Sequence, residues 1–161
     1  MNLMYLQTSH PFGTIITLYE LLEAFSHYKC WEERYRSLIL LGEKLPVLPA
    51  ILKNSNIELT GCENKVWLGY KIKSDNKLHF YGDSESRIVR GLLAIFLTRI
   101  EGRYPKELVG VDLLILFSRL GLQKNMGAGR SSGLRLMSNK VLQIAKMLSE
   151  TDLSSYIDEE R

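Results

Sequence analysis

Cysteine is scarce in this chain: 161 residues hold two, Cys30 and Cys62, with no C-x-x-C pair and no Cys/His cluster at metal-ligand spacing. That excludes a disulfide framework and a cysteine-based metal site, and it suits a reducing cytoplasm. No apolar run approaches the roughly 20 residues of a membrane span, and no basic-then-apolar leader with a small-residue cleavage site is present, so a soluble, cytoplasmic protein without a membrane partner is expected. Runs of like charge are also missing. The 21 Lys and Arg residues are interspersed with 18 Asp and Glu for a net charge of +3, which argues against a tail that binds nucleic acid directly. Neither an internal repeat nor a low-complexity segment is found.

What remains is an ordinary globular composition, 45% hydrophobic and 24% charged, at a length that suits one domain over residues 1–161. Leu18, Leu21, Leu22 and Phe25 recur at helical spacing behind Thr17, a ready N-cap. A second helical period carries Trp31, Tyr35, Leu38 and Ile39, with Gly42 as its expected stop. Pro46 and Pro49 bracket an apolar loop that plugs against the body, and a short helical turn follows to Lys53. Val66, Leu68, Tyr70 and Ile72 then alternate with polar residues, the pattern of a strand with one buried face; Ser74-Asp75-Asn76 turns the chain and Lys77 to Tyr81 returns it.

Gly82-Asp83-Ser84 is expected to open the next helix, with Asp83 or Ser84 as cap. Its residues Ile88, Val89, Leu92, Leu93, Ile95, Phe96, Leu97 and Ile100 predict a central, largely buried helix ended by Gly102 and Pro105. A shorter helix capped by Asp112 runs through Leu116, Phe117 and Leu120 to Gly121. The stretch Gly127-Ala128-Gly129-Arg130-Ser131-Ser132-Gly133 reads as a flexible loop ahead of a last helix with Leu134, Met137, Val141, Ile144 and Leu148. Beyond about residue 151 the chain is acidic and expected to fray. Helices, a small antiparallel sheet and more helices predict an α+β fold with helices packed on one face of the sheet.

For chemistry, Cys62 stands out. It follows a glycine on a turn, lies outside both periodic patterns, and nothing in core packing calls for sulfur there. The thiolate is the nucleophile in sulfur exchange, and a thiol with the reference pKa of about 8.5 is only slightly ionised at neutral pH. Glu63 opposes ionisation, so help must come from Lys65, from Arg130 or from a partner protein. Cys30 falls in an amphipathic helix and reads as structural. A Cys/His hydrolase would need His10, His27 or His79 as base, and the alternation of the return strand reads His79 as a solvated histidine. The glycine-rich stretch invites a phosphate-binding reading, but no βαβ unit precedes it and no Gly-Lys-Ser/Thr follows, so Ser131 or Ser132 reads as a helix cap.

Several ordered motifs together resemble the SufE-like cysteine desulfuration family, and within it the CsdE branch of sulfur acceptors. These are His10-Pro11-Phe12-Gly13-Thr14, Trp31-Glu32-Glu33-Arg34-Tyr35-Arg36, Leu41-Gly42-Glu43-Lys44-Leu45-Pro46, the run from Gly61-Cys62-Glu63-Asn64 to Tyr70, Gly82-Asp83-Ser84-Glu85 with Arg87 to Leu93, and Arg130-Ser131-Ser132-Gly133-Leu134. The resemblance covers about His10 to Leu148 and implies a SufE/IscU-like fold. It implies that Cys62 accepts persulfide sulfur from a pyridoxal-phosphate (PLP)-dependent cysteine desulfurase, stimulates that enzyme and passes the sulfur on. The receiver would be an iron–sulfur assembly system or an E1-like enzyme of tRNA modification. The PLP belongs to the partner, and the chain itself needs no cofactor: it is an accessory persulfide carrier rather than a stand-alone enzyme. Glu63, Asp83 and Arg130 take supporting roles in loop docking or thiolate stabilisation. Two other readings compete, a non-catalytic adaptor that binds a desulfurase and an iron–sulfur scaffold, which would draw on more cysteines than this chain offers. The residues before Arg130 are more glycine-rich than the family pattern.

Overall fold

Thr17 caps the first amphipathic stretch as its side chain allows: Oγ1 accepts from Glu20 N at 3.3 Å, and helix α1 runs Leu18–Ser26 with Leu21 and Phe25 buried. The computed structural model describes residues 7–150, so the acidic segment from 151 lies outside the described residues. Helix α2 spans Trp31–Glu43. It does not stop at Gly42. That residue is buried inside the helix because a Cβ there would come within 3.1 Å of helix α3, which spans Arg87–Ile100. The two helices cross backbone to backbone: a Cβ on Gly91 of α3 would overlap the Leu38 carbonyl of α2. Glycine here serves close packing rather than termination.

After α2 the loop folds back as expected. Leu45 and Leu48 are buried, and a 3-10 turn occupies Ala50–Leu52. Strands β1 (Val66–Ile72) and β2 (Leu78–Ser84) form an antiparallel pair, with Val66 opposite Ser84, Gly69 opposite Tyr81 and Ile72 opposite Leu78. Asn76 in the connecting turn has φ +69° and Asp75 Oδ1 accepts from Lys77 N at 3.0 Å. Val66, Leu68 and Ile72 enter the main core with α3, as the alternation requires. The opposite face is covered too: Trp67 and Tyr81 pack with Leu48 in a second cluster beneath the loop. The sheet therefore has two buried faces at this end, where the alternation predicted one.

β2 is longer than its sequence pattern suggests. Asp83 and Ser84 belong to the strand, and the α3 cap is Ser86, whose Oγ accepts from Val89 N at 3.3 Å. Nearly all of α3 is buried, in line with its two-sided apolar pattern. Two short helices follow, α4 (Pro105–Leu108) and α5 (Ile115–Arg119), and Gly121 turns the chain at φ +72°. The last helix, α6, spans Ala128–Ser149 and begins inside the glycine-rich stretch. Arg130 to Gly133 are thus helical, and neither Ser131 nor Ser132 caps; the N-cap is Gly127, with no side-chain hydrogen bond. The architecture is α+β, a two-stranded antiparallel sheet packed against helices.

Candidate functional site

Cys62 sits on a turn whose base is clamped. Leu59 N donates to Val66 O and Leu68 N to Ile57 O, both at 2.8 Å, and Glu58 bridges Trp67 in antiparallel fashion. Residues 57–59 therefore act as a short partner to β1, a pairing that the alternation pattern does not announce. The Lys65 carbonyl is held from two sides, by Ser84 Oγ at 2.8 Å and Glu85 N at 3.2 Å. Between these anchors the chain must turn sharply, and Gly61 does so at φ +92°, a conformation that costs other residues steric strain. Cys62 follows directly.

The thiol is half-buried and packs on the main core. It borders a narrow cleft of about 10 Å³, room for about one water. β1 and α3 supply apolar walls, Val66, Val89 and Leu92; the first turns of α6 supply Gly129, Arg130, Gly133 and Met137; Glu63 and Asn64 complete the rim. Burial pushes the Cys62 thiol above its ordinary pKa, because the thiolate loses solvation there. Of the three supporting candidates, Glu63 and Arg130 meet Cys62 at this cleft.

Asp83 does not. Its neighbour across the strands is Trp67, on the face away from Val66. With the residue 1% exposed, its carboxylate accepts from Leu48 N at 2.9 Å, from its neighbour Ser84 N at 2.8 Å and from Arg90 Nη1, and Lys53 Nζ lies 3.3 Å away. Arg90 Nη2 donates on to the carbonyls of Gly42 and Leu45. One buried ion pair thereby stitches the α2 end, the 45–48 loop, β2 and α3 together.

Cys30 is not in the apolar helix. It is the exposed N-cap residue of α2. The Glu32 carboxylate beside it is held below the ordinary carboxylate range, first by its own backbone N–H and then by the Cys30 thiol.

His79 is buried at 2% exposure rather than solvated. Its Nδ1 lies 2.7 Å from Glu101 Oε2 and its Nε2 3.0 Å from Thr8 Oγ1. His10 stacks on it with ring centroids 5.4 Å apart. His10 Nδ1 accepts from Phe12 N at 3.2 Å, so Nε2 carries the proton that it donates to Phe80 O at 2.7 Å. Glu101 Oε1 accepts from Phe80 N at 2.8 Å. These three side chains could ligate a cation, their ligand atoms lying within 4.8 Å of one another. Every one of those atoms is already within reach of a protein partner, which is the chemistry of a brace between the N-terminal segment and the β2–α3 end. Sequence spacing could not reveal it, since the partners are 22 to 71 residues apart.

Known proteins resemble this chain in sequence and in fold. The family model described as SufE, Fe-S metabolism associated domain, matches residues 19–145. The sulfur acceptor protein CsdE of Escherichia coli is 48% identical over 139 residues, 86% of this chain and 95% of its own. An uncharacterised SufE-like protein of Rhizobium meliloti is 34% identical over 128 residues, 78% of this chain and 91% of its own. The solution structure of a hypothetical protein from Thermus thermophilus superposes with a TM-score of 0.66 at 17% identity, covering 83% of this chain and 96% of that one, a likeness of fold. Among the described residues, no helix is long and apolar enough to cross a membrane.

Proposed function

The chain belongs to the SufE family, and from that membership we propose that it is a sulfur acceptor, with Cys62 as the accepting thiol. The observation that carries the assignment is the placement of Cys62: half-buried beside a cleft, on a short turn anchored at both ends. Cys30 is exposed at the N-cap of α2.

The donor is the catalytic cysteine persulfide of a PLP-dependent cysteine desulfurase. Cys62 thiolate attacks the terminal sulfur of that persulfide; the sulfur–sulfur bond of the donor breaks, a new one forms on Cys62, and the donor cysteine leaves as thiolate. No net oxidant is consumed, and the PLP chemistry that generates the persulfide stays with the desulfurase. The Cys62 persulfide then meets a downstream thiolate and the same exchange runs once more. The 48% identity to CsdE favours a receiver of the CsdE branch, an E1-like enzyme of tRNA modification. Because burial disfavours the Cys62 thiolate, the docked desulfurase supplies part of the ionising environment, and Arg130 at the cleft supplies positive charge from this chain. Asp83 acts at one remove, by holding the frame of β2 and α3 rigid.

The test is the intact mass of the chain after incubation with a cysteine desulfurase and free cysteine. A gain of about 32 Da, removed by dithiothreitol, is expected for the native chain and for Cys30→Ser, and none for Cys62→Ser. An adduct that survives Cys62→Ser would move the acceptor role to Cys30, and none with several desulfurases would turn the assignment to a non-catalytic adaptor.

A further inference from the structure

The end of α3 away from the Cys62 cleft carries two arginines with too few acceptors. Val89 borders the cleft, and Arg99 lies in the last turn, about 15 Å further along the helix axis. Past that turn the chain is pinned to the start of β2: Gly102 N donates to Leu78 O and Leu78 N to Arg103 O, both at 2.9 Å. Arg103 is thereby kept near Arg99, and its charge adds to burial in disfavouring the Arg99 guanidinium. The negative end of a helix favours a cation in its last turn, which accounts for one arginine and not for the second.

Glu107, in α4, is the carboxylate that faces this pair, and it is largely committed. Its Oε1 accepts from Tyr104 N at 2.9 Å, and its Oε2 stands 3.8 Å from Arg103 Nη1, beyond hydrogen-bond length. Arg103 Nε is buried without an acceptor, and among the described residues none takes a hydrogen bond from Arg99. A donor shut away from water and left unmet is costly. Lys77 adds a third cation at the rim, its Nζ 5.4 Å from the ring centroid of Tyr104.

We propose that Arg99 and Arg103 form a binding site for a phosphate group, free or carried as a monoester, separate from the Cys62 cleft. A carboxylate has two oxygens and matches one guanidinium fork, whereas a phosphate has oxygens for both forks and charge for both cations. The Arg103 side chain is 41% exposed, so its fork can turn outward and bring Nε to the ligand. Seated between the arginines, the phosphate accepts from both and offsets the repulsion that Glu107 leaves in place.

The experiment follows the arginine Nε–H signals of the full chain by NMR during titration with inorganic phosphate, at neutral pH and constant ionic strength. Loss of a signal in Arg99→Gln or Arg103→Lys assigns it. Saturable shifts of both signals are expected, with a dissociation constant of about 1 mM, the scale of two charge-assisted hydrogen bonds. Each variant is expected to weaken binding at least about tenfold, the worth of one such bond. Arg103→Lys keeps the charge and the stem, so its loss measures the fork. Exposed Arg36→Gln on α2 removes the same charge elsewhere and is expected to bind as the native chain does.

Glycerol phosphate identifies the source: binding as tight as inorganic phosphate or tighter supports an esterified ligand, and weaker binding supports the free ion. Shifts that do not saturate, acetate as effective as phosphate, or native affinity in both Arg99→Gln and Arg103→Lys would each overturn the site.

Discussion

The thiol proposed as the nucleophile, Cys62, is held where its anion is disfavoured. Burial raises the pKa of Cys62, so alkylation of the free chain is expected to titrate with a midpoint above the ordinary thiol value of about 8.5. A pH series followed by mass spectrometry checks this, and a midpoint at or below that value would show that positive charge at the cleft outweighs burial. The sign fits a carrier that stays quiet until docked, because the same desolvation that suppresses the thiolate also suppresses its oxidation. Exposed Cys30 is expected to alkylate first at pH 7.

Among the elements, the crossing of α2 and α3 and the buried Asp83–Arg90 pair fix the frame under the site. Gly91→Ala would drive a methyl group into the Leu38 carbonyl, a backbone atom that no rotamer change can move. It is expected to cost at least about 2 kcal/mol, read as a fall in the urea midpoint. Arg90→Lys keeps a charge for Asp83 but loses the fork that reaches Gly42 O and Leu45 O. Leaving such acceptors unsatisfied costs about 1–3 kcal/mol, and faster amide exchange at Leu48 is expected alongside. The helices were legible in the sequence wherever one face repeated at 3.6 residues, as in α1 and α3, and the turn thiol was legible because it broke both periods. The rest depended on distant partners. Nothing local marks Asp83 as the acceptor for Leu48 N, 35 residues away, and strand alternation put His79 in water because Glu101 and Thr8 are not its sequence neighbours. The glycine-rich stretch looked like a loop because glycine is a poor helix former, yet there α6 has already begun.

At the scale of the whole molecule, Glu101 ties the N-terminal segment to the body through His10, His79 and the Phe80 amide. Burial works against its charge, but hydrogen bonds from His10, His79 and the Phe80 amide and the attraction of His79 prevail and hold its pKa down to about 2. The native state therefore binds fewer protons than the unfolded chain between pH 4.5 and about 2, and stability is lost as pH falls through that window. The loss attached to this one group is on the order of 3 kcal/mol. Denaturant titrations at pH 7 and pH 3 are expected to show it, and Glu101→Gln is expected to be less stable at pH 7 and to shrink the difference. The clamp at the base of the Cys62 turn has a different consequence, one of reach. Leu59 and Val66 are bonded to each other, and Cys62 lies three positions beyond Leu59. Fully extended, that span is about 10 Å. On the acceptor reading proposed above, the sulfur travels on a short leash, so any protein that loads or unloads it must bring its own sulfur inside that radius, and the recess it offers can be no deeper than the leash is long.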